Sequence, residues 1–362
     1  MPITIDGSNG ITQAGEFNSD SSFGFKNRII NGAMVIDQRN AGASVTPASS
    51  AYTLDRWQAV LNVASKFSVQ QSSTTATGFS KSLVATSTSA YSIGASEYCL
   101  LQQSIEGFNI ADFGWGTANA KTVTLSFQVR SSLTGTFGGV LANSNFSRCY
   151  PFTYTILSAN TFESKTVTIA GDTTGTWNTD NTGGINVNFS LGSGSTVSGT
   201  AGAWAGTLYT SATGSTSVVG TNGATFYITG VQLEVGSTAT SFDYRPYGTE
   251  LALCQRYYYL LASGNSKQLA MGSYYGSSYI LGAFHFPVSM RTPPALSYTN
   301  GTSYYIFYTS GSADPFDSFY ITRSTETTTQ LETTGSVSGT DGKGGTIATN
   351  NASAFVAFTA EL

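Results

Sequence analysis

Charge is what this sequence has least of. Lys, Arg, Asp and Glu together make up 10% of the 362 residues, where a soluble globular chain carries roughly 25%. Sixteen basic against 20 acidic residues leave a net charge of -4, so no cationic field exists to neutralise phosphates, and a nucleic-acid partner is excluded. Histidine occurs once, as His285. A single imidazole rules out every multi-histidine metal site and most acid–base machinery. The three cysteines, Cys99, Cys149 and Cys254, stand far apart with no CxxC spacing, which suits neither zinc nor dithiol exchange and predicts buried, reduced thiols. No basic start followed by an apolar core opens the chain, and no run of about 20 apolar residues occurs anywhere, so neither a signal peptide nor a membrane span is expected. Synthesis in the cytoplasm follows as an expectation.

What remains is glycine, hydroxyl residues and rings. Gly occurs 40 times, Tyr 20 and Phe 22. β-branched and aromatic side chains fit a pleated, half-buried surface, whereas strong helix formers are scarce, and so an all-β fold is predicted. In KTVTLSFQVR, Val123, Leu125, Phe127 and Val129 alternate with polar residues, the period-two signature of a strand with one face on a core. Ile185, Val187 and Phe189 alternate with Asn186 and Asn188 in the same way. About ten such runs, AGTLYTSA among them, lie between Tyr52 and Tyr244, each bounded by Gly, Ser, Thr or Asn. That pattern describes an antiparallel jelly roll or β-sandwich. A helical turn is expected only near Glu250 to Gln255, after which tyrosine-rich strands run to the C-terminus and predict a smaller β-sandwich domain.

The organisation expected is therefore an arm at residues 1–26, too polar to form a core, a jelly roll at 27–248, and a small β-domain at 249–362. Asn31-Gly32 marks a turn at the start of ordered structure.

Candidate sites are few. Glu250, His285, Asp314 and Asp317 in the second domain, with Glu163, Asp172 and Asp180 in the first, are the acid–base groups on offer. No motif fixes any pair of carboxyls at the roughly 5–10 Å a glycosidase requires, so no catalytic residue is assigned and the chain is expected not to be an enzyme. Asp172, Asp180 and Asn181 offer the oxygens that a structural calcium takes, but the spacing matches no EF-hand and the loop reads first as an Asx turn; no other cofactor or metal is expected. Trp57 reads as core. Trp115, Trp177 and Trp204 stand among Gly, Thr and Asn in expected loops, where a ring can stack on the C–H face of a sugar. Tyr275, Tyr305, Phe316 and Tyr320 in the C-terminal domain make a second set of candidate rings. Consecutive tyrosines on a strand face opposite ways, so one ring of each pair points outward.

Three stretches carry a family resemblance: NRIINGAMVIDQRNAG with YTLDRW, the junction FYITGVQLEVGSTATSFDYRPYGTELALCQRYY, and FPVSMRTPPALSY with NNASAFVAFTAEL. They resemble tailed-bacteriophage tail-fibre or virion receptor-binding proteins, over almost all of Asn27 to Leu362. The resemblance implies a carbohydrate-binding-module-like jelly roll on a phage particle, a homotrimer, anchorage to other virion proteins through the N-terminal arm, and attachment to a host surface polysaccharide. A capsid or tail decoration protein is the alternative, and a polysaccharide depolymerase stands third.

Overall fold

A computed structural model describes residues 26–333 and 337–362 and, before them, only the backbone of two short strands, Ile5–Asp6 and Gly10–Ile11, which pair antiparallel. The arm expected at residues 1–26 otherwise lies outside the described residues. The fold is all-β, as the composition predicts, with one α-helix of nine residues, Tyr247–Gln255, among the described elements.

Two sheets form the first sandwich. One has six strands in the order Cys149–Ile156, Gly135–Asn143, Gly183–Ser193, Tyr98–Glu106, Trp57–Leu61 and Ala51–Leu54. The other has five, in the order Glu163–Ile169, Val123–Ser131, Thr225–Val235, Ser82–Ser87 and Phe67–Ser72. Successive strands cross from sheet to sheet in jelly-roll fashion: Tyr98–Glu106 in one, Val123–Ser131 in the other, Gly135–Asn143 back in the first. The alternation in the sequence becomes burial. Val123, Leu125, Phe127 and Val129 point inward and meet Ile185, Val187 and Phe189 of the facing sheet, with the Phe127 and Phe189 rings 5.0 Å apart, edge to face. Trp57 is buried in this core and donates its indole N–H to the Asn31 carbonyl at 3.1 Å.

The run AGTLYTSA departs from expectation. Ser211–Ala212 is a short strand, paired parallel with Ser198–Gly199, and Ala205 makes a single antiparallel bridge to Cys149. The rest is a loop that lays Tyr209, with Phe146, over Val140, Ala142 and Cys149 on the outer face of the six-stranded sheet. Tyr209 covers that face, while Leu208 stays exposed.

The second core lies between a three-stranded sheet, Tyr258–Ser263, Phe355–Thr359 and Ala295–Tyr298, and a seven-stranded sheet. The larger sheet runs Ser312–Phe316, Tyr305–Thr309, Gly344–Thr349, Gln268–Tyr275, Tyr279–His285, Thr328–Thr333 and Phe319–Thr322. A small third cluster, Ile30, Ile36, Cys254 and Tyr257 with Leu251, Leu253 and Leu362 against it, sits where the two cores meet.

Arginines tie the halves together at that meeting point. Glu106 of the first sandwich accepts from Arg256 at 2.6 Å and 3.0 Å and from the Tyr257 hydroxyl at 2.5 Å. Glu361, beyond the last strand, pairs with Arg39 at 2.6 Å and with Arg56. The Arg56 side chain is only 1% exposed and lies over the Tyr257 ring at 3.7 Å. Arg291 donates to the Asn181 carbonyl at 2.8 Å. All three cysteines are free and buried, and burial pushes the Cys99 thiol up to about 12 and that of Cys149 to about 11.

Candidate functional site

The outer face of the seven-stranded sheet gathers exposed rings. Pairing registers align one row across all seven strands: Ala313, Tyr308, Thr346, Met271, Ala283, Gln330 and Thr322. Beside it runs a second row of Gly344, Ser273, Leu281, Glu332 and Tyr320, and beyond that Tyr275 faces Tyr279. With strands about 4.8 Å apart, the long row measures about 29 Å. Tyr275 is 69% exposed and Met271 61%, and Tyr279, Tyr308 and Tyr320 are also exposed. These five make up half of the large apolar side chains found exposed among the described residues.

Polar groups stand between the rings. The Tyr320 phenol is raised first by its hydrogen bond to Glu332, the residue directly opposite in register. Arg323 donates to the Gln330 amide oxygen at 2.6 Å. Thr346 donates to the Met271 sulfur at 3.3 Å. Gly344 places no side chain at the end of the second row, and a Cβ there would meet only the Gly272 carbonyl at 3.7 Å.

The sequence candidates divide on this geometry. Tyr275 and Tyr320 are on the open face. Tyr305 and Phe316 are not: directly opposite each other in register, they stack at 5.7 Å inside the second core. Both belong to the inward-pointing set of their strands, which corrects the expectation that their rings meet a ligand. Tyr274 and Tyr275 do split as the pleat demands, with Tyr274 buried and its hydroxyl on Asp314 at 2.9 Å.

The three loop tryptophans also need correction. They converge. Trp115 and Trp177 lie 4.7 Å apart edge to face, Trp204 sits 5.3 Å from one and 5.4 Å from the other, and Tyr150 closes against Trp204 at 5.2 Å. Each indole N–H reaches a backbone carbonyl: Trp115 to Lys121 at 2.7 Å, Trp177 to Thr174 at 3.1 Å, Trp204 to Ala170 at 2.8 Å. Trp115 and Trp177 are buried and Trp204 is half-buried, so the rings satisfy one another and pin three loops.

No protein-family model matches the sequence, and no curated protein matches it. Solved structures align with part of the chain. The enzymatically active domain of bacteriophage CBA120 tailspike protein 4 is 12% identical over 58% of this chain, with a TM-score of 0.30, and the alignment spans 22% of that protein's length. A family 11 carbohydrate-binding module from Clostridium thermocellum, solved with a β-1,3-1,4-mixed-linked tetrasaccharide, is 10% identical over 56% of this chain and all of its own, with a TM-score of 0.29. The CBM22-1 xylan-binding domain from Paenibacillus barcinonensis is 10% identical over 56% of this chain and 99% of its own, with a TM-score of 0.24.

The candidate carboxylates are each turned to a local partner. Asp172 forms a two-point ion pair with Arg148 at 2.6 Å and 2.9 Å and accepts from the Thr174 N–H at 3.1 Å. Asp180 accepts from Thr182, and the Asn181 amide donates to the Arg291 carbonyl at 3.3 Å. Three side chains held by three different partners, one of them a guanidinium, do not fit a shared calcium. Glu163 accepts from Lys165 at 2.6 Å, Glu250 pairs with Arg245 at 3.2 Å, and Asp317 accepts from the Ser303 N–H at 2.8 Å. His285 is exposed on the sheet, opposite Thr328.

Tyr279 and Tyr308 belong to the tyrosine-rich set that the sequence offers as a surface, whereas sequence reasoning missed Met271 and Glu332 as members of the outer face. Strand parity from Tyr275 would have found Met271, but register between strands of a sheet whose order departs from the chain order is not written locally. It also missed a polar floor on the six-stranded sheet, where Gln102 faces Asn188 and Ser104 faces Asn186 in register. All four are buried, and the Gln102 Oε1 and Asn188 Oδ1 oxygens accept no hydrogen bond among the described residues. The Asn186–Asn188 alternation was the available signal.

Proposed function

We propose that this chain is an attachment protein of a tailed-phage virion, that it binds a host surface glycan without cleaving it, and that the outer face of the seven-stranded sheet makes the contact. One observation carries the reading: Met271, Tyr275, Tyr279, Tyr308 and Tyr320 stand exposed on one continuous sheet face, interleaved with hydroxyl, amide and carboxylate groups. Rings stack on the C–H faces of sugars while Gln330, Glu332, Ser273 and Thr346 meet hydroxyls. Tyrosine gives that area at low entropy cost because few torsions are frozen on binding. The sequence resemblance to fibre proteins supports the virion setting and a homotrimer, in which three equivalent faces raise avidity by roughly 10² to 10⁴ where geometry allows. A non-catalytic role accords with carboxylates that are each engaged by a neighbouring donor.

The test is adsorption. Particles carrying Tyr275→Ala with Tyr279→Ala should lose most of their binding to host cells and to purified surface polysaccharide, while the melting temperature of the isolated protein stays near that of the parent. Undiminished adsorption would favour the decoration role. Release of short oligosaccharides from the polysaccharide would favour a depolymerase.

A further inference from the structure

The outer face of the five-stranded sheet carries a groove of about 370 Å³ that no charged side chain lines. Its floor is Ser126 and Gln128 of the Val123–Ser131 strand, and one wall is Ser164 and Thr166 of the neighbouring strand, opposite Gln128 and Ser126 in register. The other wall is the segment from Ala239 to Phe242, and the Phe79 and Phe242 rings, 5.1 Å apart, close one end.

The walls are built, not draped. Glu234, buried in the adjoining strand, accepts from the Thr240 N–H at 2.8 Å and from the Thr240 hydroxyl at 2.6 Å, so Thr240 is fixed from two sides. The amide oxygen of Gln232 accepts from the Asp243 N–H at 2.8 Å and holds the far end of the segment. Phe79 is seated by a bulge: the register shifts between Thr229 and Gln232, and Gly230 there has φ +60°, with space so tight that a Cβ would come 2.5 Å from the Phe79 ring. A second cavity of about 310 Å³ adjoins it, sharing Phe79 and Phe242 and bordered by Tyr244 and Tyr247.

Hydrogen-bonding capacity is left over inside this frame. The side chains of Ser126, Gln128, Ser164 and Thr166 enter no hydrogen bond among the described residues. Three hydroxyls and an amide beside two phenyl rings, with the Lys26 ammonium and Glu234 carboxylate engaged on Thr240 at the wall and no charged side chain among the lining residues, match a neutral polyol with an apolar face. The geometry points to a second saccharide site here, taking a short neutral oligosaccharide on the first domain, independently of the C-terminal face. Phe242 stacks on the sugar ring, Gln128 donates to and accepts from its hydroxyls, and Ser164 and Thr166 bracket the next unit.

The full chain carrying Tyr275→Ala and Tyr279→Ala removes the C-terminal face from the measurement. Saturation-transfer NMR with maltose, cellobiose, lactose and chitobiose then reads the groove alone. At least one sugar should receive saturation; Gln128→Ala added to that chain should weaken its affinity about tenfold, the loss of one hydrogen-bonding partner, and Thr166→Arg should abolish the signal. No transfer to any of the four sugars overturns the site, and so does transfer that Gln128→Ala and Thr166→Arg both leave unchanged. Should Thr166→Arg fail to fold, Gln128→Ala decides. Failure of the C-terminal reading shows separately, as undiminished polysaccharide binding by the double alanine chain.

Discussion

Replacing Tyr305 with alanine empties a site packed between Phe316 and Phe319 and should cost about 3–5 kcal/mol, as large-to-small changes of buried rings do. Trp177→Ala should fall in the same range, because the ring holds Trp115 and Trp204 in place. Tyr275→Ala, on an exposed ring, should stay within about 0.5 kcal/mol of the parent. Urea denaturation of the three variants separates them, and a costly Tyr275→Ala or a neutral Trp177→Ala would contradict these assignments. Composition made all of these rings look alike. Tyr275 could be distinguished from Tyr274 because adjacent strand residues face opposite ways, but nothing local tells which of the two faces is covered. The loop tryptophans escaped for a different reason: Trp115, Trp177 and Trp204 lie on segments distant in sequence, and each is surrounded by small polar neighbours while its packing partners are the other two.

At the scale of the strand, period two was enough to read Val123–Ser131 and Gly183–Ser193, whose inward residues are apolar without exception near their centres. It failed for AGTLYTSA, where a loop that must cover an apolar sheet face carries the same residues a strand would. Bulges were invisible. Gly230 supplies a left-handed backbone where the Thr225–Val235 strand kinks around Phe79. Gly230→Val should therefore cost about 1–2 kcal/mol in backbone strain alone and add the displacement of the ring. Calorimetry should show a lowered transition, and saccharide binding at the first domain should fall with it while binding at the C-terminal face persists. Gly32 is the mirror case, legible from Asn-Gly in the sequence: a Cβ there would strike the Val231 carbonyl.

For the molecule as a whole, the joint between the two cores sets the response to pH and to mutation. Asp55, buried beside it, accepts from the Gln38 N–H at 2.7 Å and from the Gln38 side-chain amide at 2.6 Å. Burial raises its carboxyl to about 6 against the opposing pull of Arg39 and those hydrogen bonds. The folded state then binds this proton more tightly than the unfolded chain, whose carboxyl titrates near 3.9. Stability should rise as pH falls from 7 to 5, by about 1 kcal/mol from this group, before carboxylates held below their usual range, such as Asp172 with its Arg148 partner, begin to reverse the trend. Denaturation midpoints at pH 7, 6 and 5 test this, and Asp55→Asn should flatten the rise. Arg56 also donates to the Ser104 carbonyl. Glu361→Ala leaves the buried Arg56 guanidinium without its carboxylate and should cost about 3–5 kcal/mol; a change below about 1 kcal/mol in chemical denaturation would mean that the Tyr257 ring and the Ser104 carbonyl suffice to hold Arg56.

The same joint has a mechanical meaning. When the two cores are pulled apart, load passes between them not through a lone strand of backbone but through Glu106 with Arg256, Glu361 with Arg39 and Arg56, and Arg291 with Asn181, side by side. Links in parallel share tension and yield together, so the molecule should resist shear as a stiff lever does, passing torque onward where a flexible tether would let it dissipate. Magnetic-tweezer traces should accordingly show separation of the two cores as a single abrupt step at a force that drops when Glu361 is replaced.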